Sequence, residues 1–463
     1  MPAHYLFVTG KLATSALSAQ LAELAPRVGF TYEIATLNIS VAALMTPAWV
    51  ARHLEVRDGV SAIVVPGSCR GEWREVAERF RVPVEIGPAD LRDLPEHFGR
   101  APTPQYGDYD LEIVAEINHA PRLALADLLA QAEAYRASGA DVIDLGCDPG
   151  HTWTNVGDAV KALRDRGHRV SIDSFNAEEV QRAVRAGAEL VLSVNQSNVD
   201  AAVDWGAEVV VVPDQPGSLS GLDATLTKLS SQGIPLRLDP ILEPVGFGFG
   251  ASLLRYAEAR RLYPQCAMLM GVGNLTELTE VDSAAVNFLL AALCQEWSIG
   301  SVLTTAVANW CFDAVRELDI ARRLAHYAVT QRALPKKVDG RLRSLRDRKL
   351  RVMGQPALDA LAARIKDPNY RLFAERDELH VMNNAGYVRG ANPYQVFQML
   401  SERAALDPGH AFYLGFEMAK ALTALHLRKN YVQDQALDWG YLTQPDPTGS
   451  WTHDGGHEQD RAS

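Results

Sequence analysis

Several absences narrow what this 463-residue chain can be. No apolar run approaches the roughly 20 residues of a membrane-spanning helix. The N-terminus passes straight into the strand-like HYLFVTG with no basic leader or cleavage site, so a cytoplasmic protein with no membrane partner is expected. The five cysteines, Cys69, Cys147, Cys266, Cys294 and Cys311, show no C-x-x-C spacing, which argues against a zinc knuckle or a disulfide framework. No complete G-x-G-x-x-G or Walker pattern occurs. A net charge of −12 disfavours non-specific nucleic-acid binding.

What remains is an ordinary globular composition, 47% apolar and 22% charged, on a chain long enough for about three domains. Residues 1–105 alternate short β-rich runs (Tyr5 to Thr9, Thr31 to Leu37, Ala62 to Pro66, Val82 to Ile86) with amphipathic segments, as in a flavodoxin-like or Rossmann-like open α/β domain. Glycine turns follow two of these strands, Thr9-Gly10-Lys11 and Pro66 to Gly71. Residues 110–328 then repeat strand and helix eight times, which fits a (β/α)8 TIM barrel better than an open sheet. A basic linker spans 329–351, an α+β domain 352–445, and a polar, disordered tail 446–463. The apolar late helices, Ser283 to Cys294 and Trp310 to Tyr327, are suited to a homodimer interface.

The stretch RVSIDSFNAEEVQRAVRAGAELVLSVN, 169 to 195, shows where a site lies. Each of its strands runs apolar until it stops on a polar side chain, Asp173 and Asn195. The same holds around the barrel: Glu116-Ile117-Asn118, Asp144, Asp173, Asn195, Asp214, Asp239 and Gly273-Asn274 close successive strands. One such group is usually a cap or a buried partner, whereas a ring of them on one rim is costly to desolvate without a ligand. Carboxylates beside amides suit a flat heterocycle with adjacent N–H donors and a carbonyl.

These motifs carry a resemblance. Asn118 in the first loop, GADVIDLG at 139 to 146, SIDSF at 171 to 175, SVN at 193 to 195, and LDP followed by GFGFG within 238 to 250 resemble the pterin-binding family of dihydropteroate synthases and methyltetrahydrofolate-dependent methyltransferases. The whole chain is similar to the dihydropteroate synthase-like proteins of archaea and methylotrophic bacteria that make tetrahydromethanopterin. The resemblance implies a transferase that joins a dihydropterin methyl diphosphate to an arylamine such as 4-(β-D-ribofuranosyl)aminobenzene 5′-phosphate. It implies pterin held by Asp173, Asn195 and Asp239 with Asn274 nearby, and Mg2+ at Asn118; the ring of polar strand ends adds Asp144 and Asp214 as candidate pterin contacts, and Asn118, Asp173 and Asp239 are the candidates for the chemistry. Two departures stand out. Gly273-Asn274-Leu275-Thr276 replaces the synthases' Ser-Arg-Lys after the seventh strand, and Leu303 to Asn309 lacks their arginine and histidine. Arg122, Lys336 and Lys337 are the candidates to supply the missing charge. An asparagine at Asn274 is what the methyltransferase branch uses, so a pterin-dependent methyl transferase and a non-catalytic pterin-binding protein stay open.

Overall fold

Apolar side chains at every second strand position give each barrel strand one face toward the axis and one toward the surrounding helices. In the computed structural model, β5 (Glu112–Ile117), β6 (Val142–Gly146), β7 (Arg169–Asp173), β8 (Leu190–Val194), β9 (Glu208–Val211), β10 (Leu236–Leu238), β11 (Ala267–Gly271) and β12 (Ser301–Thr304) close into one parallel barrel. The structure describes residues 2–446 apart from 41, 43, 44, 70, 89, 90, 92, 93 and 100–105. The expected disordered tail, with His453 and His457, therefore lies outside the described residues, as does Arg70 of the second glycine turn.

The axis is filled by Val114, Val142, Leu190, Leu192, Val210 and Leu269, all essentially buried. One end of the barrel is closed by ions. Glu112 receives Arg169 and Arg237, Arg169 also pairs with Glu189, and Arg237 with Glu208. The guanidinium groups hold the Glu112 carboxyl below its ordinary pKa although burial pushes the other way. At the opposite end the same period-two pattern brings carboxylates inward: Glu116 two residues after Val114, Asp144 two after Val142. Ladder pairing sets Glu116 level with Asp144, and Asp144 level with Ser171.

Several return helices are followed by a glycine in the left-handed region, which glycine adopts at no cost: Gly139 after Leu125–Ser138 has φ 110° and donates its N–H to the carbonyls of Arg136 and Tyr135. A Cβ there would also lie 2.7 Å from Asp319, so this turn is closed by a neighbouring helix as well. Between β8 and β9 the connection holds a single helical turn, Val199–Ala202, where a full helix was expected.

The chain forms two compact units, residues 1–105 and 106–463. The first unit is a parallel sheet in the order β2 (Thr31–Leu37), β1 (His4–Gly10), β3 (Ala62–Val65), β4 (Val84–Ile86), with helices such as Thr14–Val28 between strands. The second unit adds to the barrel an antiparallel sheet, β13 (Arg371–Glu375), β14 (Glu378–Asn383) and β15 (Gly386–Gly390), packed on the Pro393–Ser401 and Pro408–Leu427 helices. The polar cluster after the last helix is structural: Lys429 is buried against the carbonyls of Ser344 and Asp438, and Tyr431 donates to buried Glu417.

Candidate active site at the carboxyl end of the barrel

Asp173 ends β7 and receives a hydrogen bond from Ser193 Oγ at 2.8 Å. Ser193 holds φ 65°, an unusual conformation for a residue other than glycine, at an irregularity in the β8–β9 register between Val191 and Val194. Asp239 follows β10, buried, with Tyr256 Oη and the Ile241 backbone N–H donating to the same oxygen. Ile241 has φ 66°, which costs a β-branched residue on the order of 1–3 kcal/mol. Both left-handed residues thus lie beside a candidate pterin ligand, Ser193 donating to Asp173 and Ile241 to Asp239.

Asp144 is fully buried, takes Ser171 Oγ at 2.6 Å on one oxygen, and leaves its other oxygen without a partner among the described residues. Glu116, absent from the sequence-derived site set though noted at its strand end, packs its carboxylate against Gly146, whose missing Cβ would stand 2.3 Å from Glu116 Oε1. Burial raises the pKa of all four groups, and neighbouring negative charge adds to it for Glu116, Asp144 and Asp239. Glu116 is pushed up to about 7 by desolvation, Asp173 and Glu277. Asp144 rises well above the usual carboxylate range through burial, Glu116 and Asp173. Asp173 rises through burial. Asp239 is pushed up to about 6 by burial, against the opposing pull of Tyr256, the Ile241 N–H and Arg255. The mouth is thus an acidic cup that holds protons near neutrality.

Asn274, on the short Gly273–Thr276 helix, donates Nδ2 to Leu242 O at 3.0 Å. A Cβ on Gly271 would lie 3.8 Å from Asp239 Oδ2 and 3.9 Å from Asn274 Nδ2, so the carboxylate and amide flank a position that glycine keeps open. Asn195 Oδ1 is engaged by Ser197 N and Oγ in a local turn. Asp214 is exposed and closes its own loop: it accepts from Gln196 N, and a Cβ on Gly221 would clash with it. Asp144, Asp173 and Asp239 are therefore brought together with Glu116, Asn274 borders them, and Asp214 stays on the outer rim.

Asn118 accepts a hydrogen bond from Thr305 Oγ1 across the barrel seam. It offers one already engaged oxygen where Mg2+ prefers six. Among the described residues no group of three or more His, Cys, Asp or Glu is arranged for a metal ion. Among the described residues, the side chains around Asn118 do not by themselves build a magnesium site.

The candidate cations are placed otherwise than expected. Arg122 pairs with Asp148 at 2.7 Å, and His119 contacts the same carboxylate; together they hold its pKa below the ordinary value. Lys336 and Lys337 follow the Ala314–Thr330 helix, which runs away from the mouth: its Arg322 meets Asp141 ahead of β6 and its His326 meets Asp110 ahead of β5. These lysines depart from the wrong end of the barrel to serve the cup. The cation that does reach it is Arg255, 8% exposed, from the Phe249–Leu262 helix. It donates to Pro240 O and Ile241 O and pairs with Glu243 at 3.3 Å. Its place in a helix interior carried no motif by which the sequence could have marked it.

Residues 118–217 match the family described as pterin binding enzyme. The first half of the barrel is similar to pterin-binding enzymes. That stretch runs through Asn118, Asp144, Asp173, Asn195 and Asp214 and ends before Asp239 and Asn274. Residues 3–89 match a family of unknown function (DUF6513). An uncharacterised protein of Methanocaldococcus jannaschii is 25% identical over 532 aligned positions, spanning 93% of this chain and 98% of the relative. An indole-3-glycerol phosphate synthase of Haloarcula marismortui is 32% identical over 143 residues, 29% of this chain and 48% of that protein. Among solved structures, a Yersinia pestis dihydropteroate synthase with a pterine-sulfa conjugate is 19% identical, covering 48% of this chain and 94% of that one with a TM-score of 0.39. A Coxiella burnetii dihydropteroate synthase with pteroic acid is 16% identical, covering 47% and 93% with a TM-score of 0.38.

Proposed function

We propose that this chain is a pterin-utilising, dihydropteroate synthase-like transferase whose substrate ring sits in the acidic cup. The convergence of Asp144, Asp173 and Asp239 carries this reading, because buried carboxylates, of which Asp173 raises the pKa of the other two, are matched by a ligand presenting N–H donors. In the form suggested by the resemblance, a dihydropterin methyl diphosphate condenses with an arylamine in tetrahydromethanopterin biosynthesis. The amine nitrogen forms a bond to the methylene carbon, the carbon–oxygen bond to diphosphate breaks with its electron pair leaving on oxygen, and the amine gives up a proton. Glu116, with a pKa of about 7, is matched to take that proton. The diphosphate would bring its own magnesium, since the protein offers one engaged oxygen at Asn118.

The charge balance favours a second reading. Arg122 is tied to Asp148 and Arg255 to its own loop, so little positive charge is left for a departing anion. A reduced pterin that donates a one-carbon group has no such anion, and Asn274 beside Asp239 fits it. Calorimetric titration with dihydropterin, its diphosphate with and without Mg2+, and a methylated tetrahydropterin separates these. Tight, magnesium-dependent diphosphate binding supports the synthase, and preference for the methylated ligand supports one-carbon transfer. Binding with no turnover of any supplied co-substrate indicates a binding protein. For Asp173→Asn we expect at least about tenfold weaker pterin binding, about 1.4 kcal/mol; unchanged affinity would refute the cup as the ring site.

A further inference from the structure

We infer that the chain carries a second ligand site, for a small phosphate-bearing anion, at the end of the barrel away from the cup. A cavity of about 610 Å³ opens there, lined by Arg136, Arg169, Arg316, Arg322, Arg323 and Arg341 against Asp141 and Asp319. It lies beside the Gly139 turn and the starts of β6 and β7, so it shares none of the cup residues.

Four of the six guanidinium groups are engaged. Arg322 is buried and divides its donors among Asp141, Asp319 and the carbonyls of Leu111 and Gly139. Arg323 pairs with Asp319, Arg341 with Asp339, and Arg169 with Glu112 and Glu189. Arg136 and Arg316 have no carboxylate partner among the described residues and are exposed to the cavity. Two aromatic faces orient this set: the Tyr109 ring lies under Arg322 and Arg323 at 3.5 and 4.4 Å, and the Tyr441 ring lies 5.5 Å from Arg316. In a protein with a net charge of −12, a cavity whose own carboxylates are consumed and whose two remaining guanidinium groups are unpaired is a local well for anions. Their planar forks match two oxygens of a phosphate, and the engaged arginines add field without moving.

The full-length protein is titrated with inorganic pyrophosphate and with ribose 5-phosphate, in parallel with Arg136→Ala/Arg316→Ala, Arg136→Lys and the cup variant Asp173→Asn. Binding by the wild type and by Asp173→Asn, at least about tenfold weaker in the double alanine variant and intermediate in Arg136→Lys, is expected. The Asp173→Asn arm keeps this result separate from the pterin reading, since loss of binding there would place the anion in the cup and overturn the inference. Equal affinity in a folded double alanine variant, or a binding signal reproduced by chloride at the same ionic strength, would also overturn it.

Discussion

Glu116 is the residue whose charge state sets the character of the cup. Its pKa is raised from 4.5 to about 7 by burial and by Asp173 and Glu277. A carboxyl raised in the folded state stabilises fully below its unfolded pKa, and that contribution is lost as pH climbs through the folded value. Asp239, raised to about 6, acts in the same direction. The ligand-free protein should therefore lose stability between about pH 4.5 and pH 7. Glu116→Gln should flatten that decline and gain on the order of 1–2 kcal/mol at pH 8, measured by urea unfolding across pH. A decline as steep as in the wild type would remove Glu116 from this role. If Glu116 also accepts the amine proton, the same variant should lower turnover most above pH 7 while leaving pterin affinity within a few-fold.

At the scale of elements, the loop after β10 is held by Arg255 together with Asn274 and Ser252, and Arg255 makes the most contacts. Arg255 reaches the carbonyls of Pro240 and Ile241 and the carboxylate of Glu243, across a bend where Ile241 is held at φ 66°. Removing it leaves Glu243 without its cation and Asp239 without the positive charge of Arg255. Arg255→Leu should cost about 3 kcal/mol by urea unfolding and shift the Asp239 carboxyl still higher, readable as weaker pterin binding at neutral pH than in the wild type. A variant as stable as the wild type would show that the loop is held elsewhere. The β14–β15 hairpin shows a different lesson. Asn383 to Gly386 reads as a polar turn, and it is one, but the Gly386–Gly390 strand behind it is short, with a glycine at each end, and gives too weak an alternation to stand out.

For the whole molecule, the C-terminal sheet and helices are fastened to the barrel through Glu317. This buried carboxylate accepts Ser283 Oγ at 2.6 Å, Asn287 Nδ2 at 2.9 Å and Tyr441 Oη at 2.6 Å. Tyr441→Phe should lower stability by about 1–2 kcal/mol and speed proteolytic cleavage near residue 440 in a time course; identical digestion rates would argue against the fastening. The Ser283–Glu296 helix leaves Leu289 63% exposed, which suits the proposed pairing of two copies. Leu289→Glu should then shift a dimer toward monomer by light scattering, and a mass unchanged by the variant would exclude that helix as the contact. No described helix is long and apolar enough to cross a membrane.

The barrel was legible in the sequence, and so was the rim on which the candidate site is proposed, because both follow from local pattern. Period two sets Glu116, Asp144 and Asp173 inward at strand ends, and Gly139 at φ 110° marks the turn that feeds a strand. What becomes of each charge was not legible, because desolvation and pairing depend on groups far apart in the chain. Arg322 donates to Leu111 O across 211 positions, and Asn118 is taken by Thr305 across 187. Asp214 and Asp239 look alike at their strand ends, yet one is exposed and the other buried on Tyr256, and only the packing of the Phe249–Leu262 helix separates them. The direction of the Ala314–Thr330 helix likewise carries Lys336 and Lys337 away from the mouth. The residues lining the cup were determined by sequence; which of them hold protons, and which cation stands beside them, was decided by tertiary structure alone.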